Sequence, residues 1–439
     1  MKILSRLAFV AALGLSASPA LAAPSPTERR MIAAVDAEQG RSLALLEKMV
    51  NQNSGSLNIP GVTAVGKMMR AELEPLGFTV EWIDMRETGR AGHLVARHKG
   101  TPGGRGKKML LIGHLDTVFE PDSPFQKWNR QGNWGSGPGA ADDKGGIVVM
   151  IAALRAMQAA GTLKQADIEI VLTGDEEDSG NPIELARRDL IAAGKRADVA
   201  LDFEGLIVDG GRDMGSIARR SSGSWTVEVT AKGGHSSGIF SAASGNGAIY
   251  ELTRIIDAFR REAREDKLTF NVGMIGGGDS VKLDEGRIRA AVTGKTNIIA
   301  ATAVARGDLR AIDQGQIDRT RAKMRAIVAR SLPGATASIK FDEDGYPPMA
   351  VKPGSVALLA KLNAVNADLG LAPMEALDPL KRGAADISFV APDVDGGING
   401  LGPASRGDHS PDEAVDIASI WRQAKRAAIL MSRLAVERN

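Results

Sequence analysis

Cysteine is absent from the 439 residues. Its absence excludes disulfides, thiolate metal sites and cysteine nucleophiles, so any metal must be held by His, Asp and Glu. Aromatic residues are scarce, at 4%, which counts against a base-stacking surface for nucleic acid. An excess of one charge is also missing. The 55 Lys and Arg face 53 Asp and Glu, a net charge of +2. That balance points to neither a nucleic-acid nor a membrane-surface partner. What is present is a globular mixture, 43% apolar and 25% charged, far from the composition of disorder. At about 150 residues per domain, the length predicts two or three domains.

The amino terminus reads as a secretory leader. Lys2 and Arg6 form a positive start, Leu7 to Leu15 is a short apolar run, and Ala20-Leu21-Ala22 is a small-x-small cleavage pattern. The run is too short to span a bilayer, and no other segment is long and apolar enough. Cleavage after Ala22 predicts an exported protein without a membrane anchor, periplasmic or secreted. The chain beyond Ala22 carries equal numbers of basic and acidic residues.

Further along, helices and strands alternate. Three-to-four spacing of apolar residues predicts helices over Thr27 to Val50, Gly61 to Leu76, Gly145 to Ala160 and Ile183 to Ala193. Strands are predicted over Phe78 to Asp84, His93 to His98, Lys108 to Gly113, Ile168 to Thr173 and Val199 to Phe203. This alternation is that of an α/β sheet covered on both faces. From about Ser222 the style changes. Strands over Trp225 to Thr230, Thr269 to Met274, Ala303 to Ala311 and Ala337 to Phe341 interleave with helices over Ile249 to Ala263 and Gln316 to Ser331. The order β-α-β-β-α-β is ferredoxin-like and predicts an inserted second domain. The α/β style resumes with helices over Leu358 to Leu369 and Ile417 to Leu434. The expected organisation is a leader at 1–22, a catalytic domain from 23–217 and 346–439, and an inserted lid or dimerisation domain at 218–345.

Ligands in open α/β sheets bind beyond the carboxyl ends of strands, and four acidic or His-bearing motifs sit there or close by. In GHLDTVF, His114 can offer a ring nitrogen to a metal while Asp116 accepts the other ring N–H and fixes the tautomer. A strand-end His with a helix-capping Asp is the plainer alternative. In GPGAADDKGG, Asp142 and Asp143 precede a helix, as metal ligands or as partners of its dipole. In GDEEDSG, four consecutive acids from Asp175 to Asp178 repel one another unless a cation or solvent relieves them. In DFEG, Asp202 and Glu204 point to one side by strand alternation, and either would serve as a ligand. His409, in GDHSPDEA, completes the set; His93 and His98 lie in a strand without acidic company and read as structural. Two His and three carboxylates suit two Zn²⁺ sharing a bridging carboxylate.

The order HLDTV, GPGAADDKGG, GDEE, strand-end Glu, late His resembles the dizinc aminoacylase and carboxypeptidase metallopeptidases, above all glutamate carboxypeptidases of the carboxypeptidase G type. The likeness runs through the whole chain beyond the leader. It implies a dizinc exopeptidase-like α/β catalytic domain with an inserted ferredoxin-like α+β lid. It also implies two Zn²⁺ per chain, with Co²⁺ or Mn²⁺ as substitutes, and a homodimer. His114, Asp142 as bridge, Glu177, Glu204 and His409 would be the metal ligands. Asp116 would orient His114, and Glu176 would be the general base. The family has a cis peptide after the bridging residue, here at Asp143. His235, in AKGGHSSG, would reach the partner subunit's site and polarise the scissile carbonyl. Asn297 and Arg310 would contact substrate, Arg310 as a fork for a carboxylate. Gly383 and Asp386, in RGAADIS, resemble a glycine-rich stretch lining the cleft, though Arg382 and Gly383 replace a longer run of glycines. The expected activity is amide hydrolysis of a short peptide or N-acyl amino acid with a free carboxylate. The alternatives are a deacylase of a small N-acylated metabolite and, in another class, a periplasmic binding protein without catalysis.

Overall fold

Residues 108–114 run as Lys-Met-Leu-Leu-Ile-Gly-His, and a strand so apolar must be covered on both faces. The computed structural model, which describes residues 23–101 and 106–437, meets that demand. The expected leader at 1–22 lies outside the described residues. Strand Lys108–His114 lies inside a six-stranded sheet ordered Thr79–Asp84, Gly92–His98, Asp167–Thr173, Lys108–His114, Val199–Asp202, Gly396–Ile398. The last four are mutually parallel, and the first two join them through antiparallel pairs. Strand alternation sends Met109 and Leu111 to one core, with Ile147 and Ile151. Leu110 and Ile112 go to the other, with Leu190, Ile387 and Val390. Each such side chain contributes about 1.5–3 kcal/mol when fully buried.

Helix Lys144–Ala160 is buried almost throughout, beneath helices Pro26–Ala37, Gln39–Val50 and Ile417–Leu434. Gly161, at φ 77°, ends it in the left-handed conformation that glycine adopts without a Cβ clash. At the other end, a Cβ on Gly146 would collide with the Phe203 carbonyl. That close approach sets the start of this helix, and with it Asp142, against the end of strand Val199–Asp202.

The inserted layer is a second, antiparallel sheet ordered Thr269–Phe270, Thr302–Arg310, Ser224–Ala231, Ala335–Phe341, with Met274–Gly278 also paired to Thr302–Arg310. Helices Ala248–Glu262 and Gln314–Val328 pack on it around Trp225, Leu252, Phe259 and Met324. Trp225 and Phe259 meet edge to face at 5.5 Å. The architecture is therefore an α/β layer with a β-rich, ferredoxin-like insertion. The outgoing and returning chains run side by side, through the antiparallel bridges Arg219↔Met349 and Ser222↔Tyr346.

Several predicted elements are subdivided. Thr27 to Val50 forms two helices, Pro26–Ala37 and Gln39–Val50, separated at Glu38. The break lets both pack on helix Lys144–Ala160. Ile183 to Ala193 is two short helices that meet at Arg187, whose side chain turns inward. Thr269 to Met274 is not one strand: Asn271 and Gly273 still bond the Thr302–Arg310 strand, and the register shifts by one residue at Met274. A hairpin of Ser280–Leu283 with Ala290–Thr293 was not foreseen. No helix among the described residues is long and apolar enough to cross a membrane.

Candidate active site

Parallel strands deliver their carboxyl ends to one edge. His114 lies opposite Thr173, and Ile112 opposite Asp202. The GDEE turn, the DFEG turn and His114 therefore emerge together. Asp142 arrives just before helix Lys144–Ala160, joined to Asp143 by a cis peptide. His409 comes from a loop near the carboxyl end, with φ at 62°.

These side chains converge. Donor atoms of His114, Asp142 and Glu177 all lie within 4.8 Å of one another. His114 Nε2 is 3.1 Å from Asp142 Oδ1, while His409 Nε2 is 3.0 Å from Asp142 Oδ2 and 3.2 Å from Glu177 Oε2. Asp142 thus faces one imidazole on each oxygen. Two imidazoles and two carboxylates without sulfur are a donor set suited to Zn²⁺. The His114, Asp142 and Glu177 donors are close enough together to hold one metal ion.

Asp116 ties this cluster to the next residue. Its Oδ1 is 3.3 Å from His114 Nδ1 and accepts the Glu176 N–H at 3.0 Å. Its Oδ2 accepts the Glu177 N–H at 3.1 Å and the Ser56 hydroxyl at 2.6 Å. Burial raises the Asp116 pKa, but His114, Ser56 and the Glu176 N–H outweigh it, and the group stays ionised. One carboxylate therefore sits against the His114 ring and holds the backbone N–H groups of both Glu176 and Glu177.

Glu176 has the opposite electrostatics. Burial, then the charges of Glu204, Asp386 and Glu177, raise its pKa well above the usual carboxylate range. Glu177, half-buried, is pushed up to about 7, chiefly by desolvation. The hydrogen bonds from His409 to Asp142 and Glu177 push the His409 imidazole up to about 11. A carboxyl group kept basic beside a cluster of metal donors is suited to carry a proton at neutral pH.

The cleft has a volume of about 620 Å³, the size of a small-molecule site. Asp142, Glu176, Glu177, Glu204, Arg310, Gly383 and His409 line it. Arg310 bonds Asp308 through Nε at 3.1 Å, and a Cβ on Gly383 would lie 3.5 Å from Arg310 Nη1. Glu204 also lines the cleft, but its Oε2 accepts from Arg219, from Arg382 at 3.0 Å and from Asn399 at 3.4 Å. It does not join the three-residue donor cluster. Asp202 turns to Asn399 at 2.7 Å. His235 and Asn297 are neighbours in the insertion, where the Ser236 N–H donates to the Asn297 carbonyl, and neither lines the cleft. Asp386 does not line the cleft either. It is buried, accepting from Arg187 at 2.7 Å and Thr173 at 2.5 Å. His93 and His98 bond the backbone carbonyls of Ala186 and Ala166, but His93 is not without acidic company, since its Nδ1 lies 3.9 Å from Asp175.

Three supporting residues went unnoticed in the sequence. Glu413 accepts the N–H groups of Ala141 and Asp142 at 3.0 and 3.3 Å; its position four residues after His409 was the available signal. Arg187 is buried and bonds both Asp175 and Asp386. Tyr346 donates its hydroxyl to the Glu176 carbonyl at 2.9 Å and accepts from Arg187 at 2.6 Å. No local pattern marks either residue.

Residues 110–433 match Peptidase family M20/M25/M40. The chain is 27% identical to carboxypeptidase G2 of Pseudomonas sp. (strain RS-16) over 439 residues, covering 98% of each. It is 29% identical to succinyl-diaminopimelate desuccinylase of Acidiphilium cryptum (strain JF-5) over 383 residues, covering 82% of this chain and 91% of that one. Its fold is similar to that of aminopeptidase PepT from Bacillus cereus ATCC 10987, with a TM-score of 0.70 at 18% identity, covering 90% of this chain and 99% of that one.

Proposed function

The chain belongs to peptidase family M20/M25/M40, and from that premise we propose that it is a metal-dependent exopeptidase of the glutamate carboxypeptidase type. Its substrate is a short peptide or N-acyl amino acid with a free carboxylate. The observation that carries this reading is the convergence of His114, Asp142 and Glu177 donors within 4.8 Å, next to a half-buried Glu176 of raised pKa. Pure binding needs no such base, which counts against a binding protein.

His114, Asp142, Glu177 and His409 hold the ion, with Zn²⁺ favoured by the donors and Co²⁺ or Mn²⁺ as substitutes. When bound, the ion supplies Lewis acidity and lowers the pKa of water in the cleft. Glu176 takes a proton from the attacking water and delivers it to the leaving amine. Asp116 keeps His114 in one tautomer and the Glu176–Glu177 backbone in place. Arg310 pairs its guanidinium with the substrate carboxylate, beside Gly383. His235 and Asn297 lie outside this chain's own cleft, which favours their acting on the site of a second copy. A homodimer is therefore part of the reading, with His235 stabilising the developing oxyanion. Export through the 1–22 leader is a further part, as is the division at 217–218 and 345–346.

The Arg-lined wall also favours a second substrate type, an N-acyl group that itself carries a carboxylate, as the name of the Acidiphilium cryptum relative would suggest. Purified protein should be assayed on dipeptides and N-acyl amino acids ending in Glu, Ala, Leu or Lys, and on N-succinyl amino acids, before and after chelation. Chelator-sensitive cleavage strongest on carboxyl-terminal Glu supports the leading reading. Cleavage of the succinyl set alone would replace it with the deacylase. Tight binding with no turnover would replace both with a binding protein.

A further inference from the structure

Resemblance asks Glu204 to hold a second ion, shared with Asp142 and His114. The surroundings of Glu204 are already cationic. Arg219 Nη1 and Arg382 Nη2 both donate to its Oε2, the latter at 3.0 Å. Arg219 has no room to withdraw, because its Nε donates to the Gly383 carbonyl at 2.7 Å and its Nη2 to the Ala384 carbonyl at 2.6 Å. The same Arg382 Nη2 also donates to the Gly205 carbonyl at 3.1 Å. Both guanidiniums are permanently charged. The tight donor grouping holds His114, Asp142 and Glu177; Glu204 and His409 both lie outside it, but His409 faces Asp142 and Glu177 whereas Glu204 faces two arginines.

We propose that this chain holds one divalent ion tightly, on the Asp142–Glu177–His409 side with His114, and that Arg219 and Arg382 take the place of a second ion at Glu204. The inference rests on the metal-dependent reading above. With two guanidiniums on its Oε2, Glu204 has little left to offer a dication. Each fixed cation at contact range weakens a neighbouring dication by at least about tenfold. Two of them leave the Glu204 side at least about a hundredfold weaker than the other. The cleft then presents a wall of arginines to substrate where a second metal would have stood.

The test is a count of metal equivalents, independent of turnover. The protein is stripped with chelator and titrated with Zn²⁺ against a chromophoric competitor. Wild type, Glu204→Gln and Arg382→Ala are compared, with circular dichroism and melting curves to verify folding. Arg382 is preferred to Arg219, whose removal would leave two backbone carbonyls without their donor. Wild type and Glu204→Gln should each bind one tight equivalent with the same affinity. Arg382→Ala should bind a second equivalent at least about tenfold more tightly than wild type does. Two equivalents of matched affinity in wild type, or loss of one in Glu204→Gln, would overturn the proposal alone. No tight equivalent in any variant would overturn the metal reading, and the proposal with it.

Discussion

The floor and the wall of the cleft are built by different rules. The floor is made where parallel strands end, so His114, Glu176 and Glu177 are set by strand register and fastened by one buried carboxylate, Asp116. The wall is made by Arg219, Arg310 and Arg382, which come from the crossover, the insertion and the last third of the chain. The floor gathers negative charge that a cation can answer. The wall carries cations that meet carboxylates. In the proposed function, chemistry belongs to the floor and choice of substrate to the wall, so the two should respond differently to mutation.

Asp116→Ala attacks the floor at its joint. It frees the His114 ring and two backbone N–H groups together, and losing such a partner typically costs about 10–100-fold in metal affinity or activity. Metal titration and turnover should both fall, while the dependence on the substrate carboxylate is unchanged. Equal losses for substrates with and without that carboxylate would confirm the separation. Arg310→Ala attacks the wall. A charged hydrogen bond of about 1.5–3 kcal/mol corresponds to a KM rise of roughly 10–100-fold for carboxylate substrates, with metal affinity unaltered. An unchanged KM would assign carboxylate capture to Arg382 or another residue. Tyr346→Phe probes the contact between crossover and floor, since Tyr346 sits on the returning chain and bonds the Glu176 carbonyl. Removing one hydroxyl should lower kcat by about three- to tenfold and leave KM and metal content as they were. A matched change in KM would show that Tyr346 serves the wall instead.

The contrast also explains what the sequence reveals. The floor was legible because its groups sit in short motifs at the ends of apolar runs, where both the strand and its terminus can be read locally. Glu204 was preferred to Asp202 as a metal ligand; it does line the cleft, but the arginines that engage it were not foreseen. Arg219 lies 15 residues from Glu204 in sequence and Arg382 lies 178 away, so their meeting depends on how distant segments pack. Tyr346 and Glu176 are 170 residues apart, and Arg187 and Asp386 are 199 apart. Such pairs leave no periodic trace. Asp386 shows the same limit from the other direction, since the family resemblance suggested a cleft residue and packing made it a buried partner of Arg187. At the level of elements, apolar spacing located the helices well but did not resolve the break at Glu38.

The central claim is that Glu176 moves the proton while its neighbours hold the ion. Glu176→Gln in metal-loaded protein tests it most directly, because the amide keeps the side chain's shape and removes only its basicity. Zinc content and affinity should match wild type, and kcat on the best substrate of the panel should fall by roughly 10²–10⁴. Turnover near the wild-type level with full metal content would contradict the account.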